Sequence, residues 1–240
     1  EDTEEEVDDG AVLVFLPGVG EIRRLADRVM ASRRLSHCLC VVLHANAPRE
    51  DQRAAFAPVP HGYARKIVLA TNVAESSVTI PDVTCVVDCG RVKEVRHHRH
   101  GSEKLFSACP TLETAWCSRA SARQRAGRAG RVRPGVCVRL YTQDHFEQRL
   151  PQHQEPELQR VPLEELILST KATCDDAKKS KDSEFFACAS EWLRDCAQPP
   201  PLHALSAALS ELVSVGALVL VDEEEQSWGA IEQSLHAGSD

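Results

Sequence analysis

The chain has 240 residues, of which 42% are hydrophobic and 27% are charged, a composition of globular rather than disordered proteins. Its net charge of −8 comes mostly from residues 1–9, which hold seven acidic side chains and predict a solvated linker over 1–10. No apolar run approaches the ~20 residues of a bilayer span, and no signal peptide is visible. We expect an intracellular protein, in the cytoplasm or nucleus, without membrane contact.

Short apolar strands and helices alternate along the first 150 residues. We predict strands at 11–16, 39–45, 66–70, 83–88 and 137–141, and helices at 19–35, 49–56 and 142–149. In the first helix, Ile22, Leu25, Val29 and Met30 are expected to share an apolar face. This alternation predicts an α/β fold with a parallel sheet covered by helices on both faces, in which ligands bind where strands end. The candidate positions follow residues 16, 43, 70 and 88.

The pattern changes after residue 150. Amphipathic helices are predicted at 162–172 and 184–197, and a helix, a turn at Gly216 and a strand within 202–225. These elements predict a small, mainly helical domain of winged-helix type at 151–226, with an irregular tail at 227–240. The ten cysteines show no C-x-x-C spacing, which favours buried, reduced thiols over disulfides or zinc ligands.

Residues 121–131, SARQRAGRAGR, concentrate positive charge. On a helix, Gln124 and Arg128 would share a face, with Arg131 one turn later, after a glycine that lets the backbone turn tightly. Guanidinium groups fork onto phosphate oxygens, and an arginine at a γ-phosphate stabilises the charge that develops during phosphoryl transfer. A surface helix that binds RNA backbone is the alternative, but the Q-x-x-G-R-x-G-R spacing favours a nucleotide.

The stretch ATNVAESSVTI, residues 70–80, places small polar side chains directly after a predicted strand. Such hydroxyl and amide groups contact phosphates or ribose without steric bulk, although they also cap helices. The polar residues of the stretch are Thr71, Asn72, Glu75, Ser76, Ser77 and Thr79.

Together these segments resemble the DEAH/RHA-type helicases of superfamily 2. Q-R-A-G-R-A-G-R looks like their motif VI, T-N-V-A-E-S-S-V-T-I looks like motif V, and VLVFLPGVGEI (12–22) is similar to motif IV. LHANAPREDQRAAF (43–56) and RPGVCVRLYT (133–142) match two further stretches of the family. The resemblance implies a RecA-like lobe at 11–150, the second of two such lobes, followed by the winged-helix domain.

The resemblance also implies an ATP-dependent RNA helicase and roles for single residues. Arg128 and Arg131 match the arginine fingers, and Gln124 matches the glutamine near the γ-phosphate and the attacking water. On the nucleotide side it implies Phe56, which stacks on adenine, together with Ser77, Thr79, Asp82 and Gly127. Toward RNA it implies Thr71, Asn72, His44, Arg91 and Lys93. The basic stretch 91–109 lies where the family inserts a β-hairpin that helps to part strands.

Two family motifs do not occur in the 240 residues: the G-x-x-x-x-G-K-[ST] loop that cradles phosphates, and D-E-x-H. We therefore expect a helicase fragment that is inactive alone, because the first lobe would hold most of the ATP and its Mg²⁺. The expected partners are RNA, that first lobe and an activator protein. Two alternatives stay open: a non-catalytic RNA-binding or partner-docking fragment, and a DNA helicase of a neighbouring family.

Overall fold

The structure is a computed structural model that describes residues 10–76, 79–97, 110–132, 134–179, 193 and 195–219. The chain divides into two compact units. The first comprises Glu1–Glu94 and Leu112–Gln154, and the second comprises Val95–Thr111 and Glu155–Asp240.

A five-stranded parallel sheet forms the centre of the first unit. Its strands are β1 (Ala11–Phe15), β2 (Cys38–Leu43), β3 (Arg65–Ala70), β4 (Val83–Asp88) and β7 (Val136–Arg139). They pair in the order β2-β3-β1-β4-β7, with Val12 opposite Ile67 and Cys85. Strands β1, β3 and β4 are the three central strands. They are mostly apolar, because a central strand of such a sheet packs against helices on both faces. All five predicted strands are confirmed, with ends shifted by at most two residues.

Helices cover both faces of this sheet. The helices of the first unit are α1 (Val19–Ala31), α2 (Arg49–Phe56), α3 (Val73–Ser76) and α4 (Arg119–Ala126), with a short π-helix at His145–Arg149. Helix α1 packs on Ile67 and Leu69, whereas the opposite face holds Val68, Ala70 and side chains of α2 and α3. The predicted α/β class is therefore confirmed.

The predicted apolar face of α1 is wrong at one position. Ile22 and Val29 are buried, but Met30 is 67% exposed and Ala26 takes its place in the core. Ala26 lies close to Ile22 and Val29 around the helix axis, whereas Met30 is rotated by about 100° from Val29 and lies at the margin of the buried face.

Two strands that follow β4 pair outside the main sheet. They are β5 (Arg91–His97) and β6 (Pro110–Trp116), which form a two-stranded sheet of their own. Strand β5 forms the first seven residues of the predicted hairpin stretch 91–109 and β6 follows that stretch directly, whereas residues 98–109 lie outside the described residues.

The second unit contains helices α5 (Glu157–Arg160), α6 (Glu164–Lys179) and α7 (Leu202–Ser214). Helices α6 and α7 share a core built from Leu163, Ile167, Leu193, Leu205, Ala208 and Leu212. The predicted turn occurs at Gly216, whose φ of +72° is a left-handed value that glycine adopts without strain. The winged-helix domain at 151–226 stays a prediction, since its expected strand and most of the 184–197 helix lie outside the described residues. No helix in the described ranges is long and apolar enough to cross a membrane.

Candidate functional site

The arginine-rich segment begins as a helix and ends as a turn. Helix α4 is capped by Ser118, whose hydroxyl accepts a hydrogen bond from the Ser121 amide at 3.1 Å. The helix ends at Ala126, so Arg128 lies in the turn that follows it. The predicted shared helical face of Gln124 and Arg128 is therefore wrong.

The two glycines of this segment lie in the turn at residues 127–130, and neither is left-handed. Gly127 has φ of −64°, an ordinary right-handed value, and a Cβ there would lie 3.5 Å from the backbone oxygens of Arg123 and Gln124. Gly130 has open space around it. The chain thus turns at residues 127–130, directly after α4, and does so without a left-handed glycine.

Arg125 is the buried centre of the site, with only 1% of its surface exposed. Its Nε donates to Oε1 of Glu75 at 2.7 Å, and its Nη1 donates to Oδ1 of Asp88 at 2.8 Å. The same Nη1 lies 3.3 Å from the backbone oxygen of Arg91, and the guanidinium lies 5.0 Å from the ring centroid of Phe15. A charge this deeply buried is tolerated only when it is paired and hydrogen-bonded, as Arg125 is.

Asp88, the last residue of β4, accepts hydrogen bonds from three groups. Besides Arg125, its carboxylate accepts from the Gly90 amide at 2.9 Å and from the Tyr141 hydroxyl at 2.8 Å. Burial, reinforced by the negative charge of Asp88, raises the pKa of the Tyr141 hydroxyl, which therefore remains a donor. Burial alone would lower the pKa of Arg125, but Glu75 and Asp88 raise it above its ordinary value.

Arg128 and Arg131 extend from the turn toward residues of the 70–80 stretch. Arg128 is 7% exposed, and its Nη2 donates to the backbone oxygen of Glu75. Burial, together with the nearby positive charge of Arg131, lowers the pKa of Arg128. Arg131 is exposed, and its Nη1 donates to Oγ1 of Thr79. Glu75 and Thr79 thus join the two motifs that the sequence analysis singled out separately.

The residues assigned to RNA lie partly together. The Thr71 amide donates to the backbone oxygen of Leu43 at 3.2 Å, so Thr71 and His44 meet at the carboxyl ends of β3 and β2. Asn72 follows Thr71 and is exposed. All three positions directly follow strands β2 and β3, where the sequence pattern predicts ligands.

The two basic residues of β5 that were assigned to RNA have partners within the protein. The Arg91 guanidinium carbon lies 3.4 Å from the ring centroid of Trp116. Lys93 Nζ lies 3.0 Å from Oε2 of Glu21, and this hydrogen bond is the main cause of the lowered pKa of Glu21.

Two residues assigned to the nucleotide lie near the amino ends of the strands. Asp82 immediately precedes β4, and its carboxylate pairs with Lys66, the second residue of β3. Phe56 is the last residue of α2, and Lys66 also donates to the carbonyls on either side of it. Both positions therefore lie away from the carboxyl ends of the strands, where the sequence pattern predicts ligands, and their nucleotide contacts stay a prediction. Ser77, also assigned to the nucleotide, lies outside the described residues.

Sequence reasoning missed four polar residues of the site, of which Lys66, Glu75 and Asp88 are buried and Tyr141 is partly buried. Their signal in the sequence is a charge or a phenol inside or beside an apolar run: Lys66 in KIVLA, Asp88 in VTCVVD and Tyr141 in CVRLY. The fourth, Glu75, was noted only as one of several polar residues in its stretch.

The guanidinium groups of Arg128 and Arg131 offer hydrogen-bond donors that suit a phosphate rather than ligands that suit a metal ion. Guanidinium groups are presented toward the 70–80 stretch, whereas the described ranges contain no group of three His, Cys, Asp or Glu side chains able to hold a metal ion.

Comparison with known proteins agrees with this geometry. Residues 2–133, more than half of the chain, match the helicase conserved C-terminal domain family. The chain is 41% identical over 214 residues to the human ATP-dependent RNA helicase DHX29 and, over the same length, to the Arabidopsis thaliana DExH-box ATP-dependent RNA helicase DExH4. In both cases 88% of this chain is covered.

Among solved structures, the Escherichia coli DEAH/RHA helicase HrpB is similar, with a TM-score of 0.68 and 36% identity over 88% of this chain. The chain spans 14% of the length of each of the two sequence relatives and 24% of the HrpB chain. The order of motifs, the parallel sheet and these matches agree: the chain belongs to the family of the helicase conserved C-terminal domain, in the form that DEAH/RHA-type helicases carry.

Proposed function

We propose that this chain supplies the arginine side of the ATP site in an ATP-dependent RNA helicase and couples that site to bound RNA. One observation carries the proposal. Glu75 binds Arg125 through its carboxylate and Arg128 through its backbone carbonyl, while Thr71 and Asn72 lie only a few residues before it. A displacement of the RNA-side residues therefore reaches Arg128 through one short helix, α3.

The roles follow from the chemistry of each group. Arg128 and Arg131 stabilise the negative charge that develops on the γ-phosphate as its bond to the β-phosphate breaks. Gln124, which is exposed on α4, orients the attacking water. Mg²⁺, held mainly by the first lobe, neutralises phosphate charge when it is bound. Thr71 and Asn72 bind RNA backbone oxygens, and this contact positions the RNA without reading its sequence.

Arg128→Ala in the full-length protein tests the proposal. We expect RNA-stimulated ATP turnover to fall by about a thousandfold or more, while the Kd for single-stranded RNA changes by about twofold or less. Arg128→Lys, which keeps the charge but loses the fork, is expected to be nearly as inactive. The matched control is Arg123→Ala, an exposed arginine on α4, which should turn over ATP normally.

Three other results would count against the proposal. Near-normal turnover in Arg128→Ala would remove the finger assignment. Equal losses in the Arg123 and Arg128 variants would mean that the segment matters only for folding. A full-length protein that binds RNA without hydrolysing ATP would favour the non-catalytic alternative.

A further inference from the structure

Lys66 is a lysine with 0% of its surface exposed, near the start of β3. Its Nζ donates to the backbone oxygens of Ala55 at 2.9 Å and Ala57 at 2.8 Å, and lies 3.1 Å from Oδ2 of Asp82. An ammonium group has three protons to donate, and these three acceptors match that number. Burying such a charge is costly unless every proton finds an acceptor, so the arrangement of the three acceptors is tightly constrained.

The two carbonyls belong to the end of helix α2. Carbonyls in the last turn of a helix have no partner within the helix, and Lys66 supplies the missing donor. Ala55 and Ala57 flank Phe56, a residue that is 37% exposed. Lys66 therefore fixes the backbone on both sides of an exposed aromatic residue.

The third acceptor fixes a carboxylate beside this helix end. The backbone oxygen of Asp82 accepts from the Ala11 amide at 2.7 Å, which ties the residue to β1. Its side chain is 28% exposed and is held by Lys66. One ammonium group thus sets the position of a stacking surface and of a carboxylate that can accept hydrogen bonds from hydroxyl groups.

We propose that Lys66 is a positioning residue for the nucleoside half of ATP. It holds Phe56 and Asp82 as one preorganised pair, so that base stacking and a ribose hydrogen bond form together without a further ordering cost. The inference rests on the proposed function and deepens it, because it assigns Lys66 to recognition of the base and sugar rather than of the phosphates.

The test compares a nucleotide with a ligand that lacks the nucleoside. Lys66→Met, Lys66→Arg and the control Lys171→Met, an exposed lysine on α6, are made in the full-length protein. RNA-stimulated ATP turnover gives KM and kcat, and competition gives Ki for ADP and for inorganic triphosphate. Thermal unfolding shows which variants fold. If Lys66→Met does not fold, Lys66→Arg is used in its place, because it keeps a positive charge beside Asp82.

We expect Lys66→Met to raise the KM for ATP and the Ki for ADP by about fivefold, and Lys66→Arg by about threefold, with kcat within about twofold, because a weakened base stack costs binding energy in all bound states. The Ki for inorganic triphosphate should stay within about twofold. A merely structural role would raise both Ki values together, and that result, or an unchanged KM, would overturn the proposal.

Phe56→Ala separates this inference from the proposed function. The ring is exposed, so the variant should fold, and in its background Lys66→Arg should lose most of its effect on KM. An unchanged KM in Phe56→Ala alone would contradict the proposed nucleoside contact itself. A raised KM in Phe56→Ala, with no effect of Lys66→Arg, would leave the proposed function standing and reject the role of Lys66.

Discussion

Arg125 and Glu75 form a buried ion pair in which Nε and Nη2 of the guanidinium lie 2.7 and 2.6 Å from the same carboxylate oxygen, Oε1. The pair joins two motifs that lie 50 residues apart in the sequence. The backbone oxygen of Glu75 also accepts a hydrogen bond from Arg128. The ion pair therefore also fixes the acceptor that positions Arg128. The ion pair therefore has consequences both for stability and for the position of Arg128.

The first prediction concerns stability. Arg125→Met leaves the carboxylates of Glu75 and Asp88 buried without their cation, so the free energy of unfolding should fall by about 3–5 kcal/mol. Urea denaturation of the 240-residue chain, followed by circular dichroism, measures this change. Arg123→Met, at an exposed position of the same helix, should cost about 0.5 kcal/mol or less. Equal costs at the two positions would show that the buried network does not contribute to stability.

The strands and most helices of the first unit could be predicted because their signals are local. Strands β1, β3 and β4 each contain a continuous apolar run, and helix α2 was predicted with the bounds that it has. The order of strands could not be predicted, since it depends on which buried faces pack together. Met30 was misplaced because an apolar side chain one position beyond the buried face looks like part of it.

The candidate site was predicted less completely. Small polar residues after β3 and the arginine spacing are visible in the sequence, and the structure brings Arg128 and Arg131 to Glu75 and Thr79. The buried charges could not be predicted, because a sequence pattern treats a charge as exposed. Whether Arg125 or Lys66 is buried depends on partners that only the folded chain brings within hydrogen-bonding distance.

The second prediction concerns a glycine beside the network. Gly90 has φ of +71°, and a Cβ there would lie 2.6 Å from Cε1 of Tyr141. Gly90→Ala should therefore lower the free energy of unfolding by about 3 kcal/mol, combining backbone strain with displacement of the ring that donates to Asp88. Gly62→Ala is the matched control, because its φ is +99° but nothing lies within 4 Å.

The control should cost only the backbone strain, about 1–2 kcal/mol. The difference between the two glycine variants in urea denaturation then gives the steric cost at Tyr141 alone. Identical losses would mean that the Tyr141 ring moves aside freely and that its hydrogen bond to Asp88 is not held in place by Gly90.

The third prediction concerns alkaline pH. Burial raises the pKa of the Cys117 thiol from 9.0 to about 12. Between these values the folded protein keeps a proton that the unfolded chain has lost, so this thiol makes the free energy of unfolding fall as pH rises from 9.0 toward 12. Cys117→Ala should reduce that slope by at most about 1.4 kcal/mol per pH unit.

The matched control for this experiment is Val92→Ala, which opens a cavity in the same hydrophobic cluster without removing a titratable group. It should lower stability at every pH and leave the slope as it is in the unaltered chain. Urea denaturation at a series of pH values between 8 and 11 measures both variants. A slope in Cys117→Ala equal to that of Val92→Ala would contradict a titrating thiol at this position.

The fourth prediction asks whether Lys93 binds RNA. Glu21 holds the Lys93 ammonium at 3.0 Å and also accepts from Arg24 at 2.9 Å, so Lys93 must leave an ion pair before it can bind a phosphate. Glu21→Gln weakens that pair, and we expect the Kd for single-stranded RNA to fall by about two- to fivefold. Fluorescence anisotropy with the full-length protein, over a series of salt concentrations, measures the Kd.

Two further variants make the result specific to Lys93. Glu165→Gln removes an equal charge at an exposed position of α6 and should leave the RNA affinity nearly unchanged. Adding Lys93→Met to Glu21→Gln should abolish the gain and make log Kd less steep against log salt by about 0.7, the amount expected for one phosphate contact with a single strand. If the gain persists without Lys93, the acidic group at Glu21 repels RNA by itself and Lys93 serves only to hold β5 against α1.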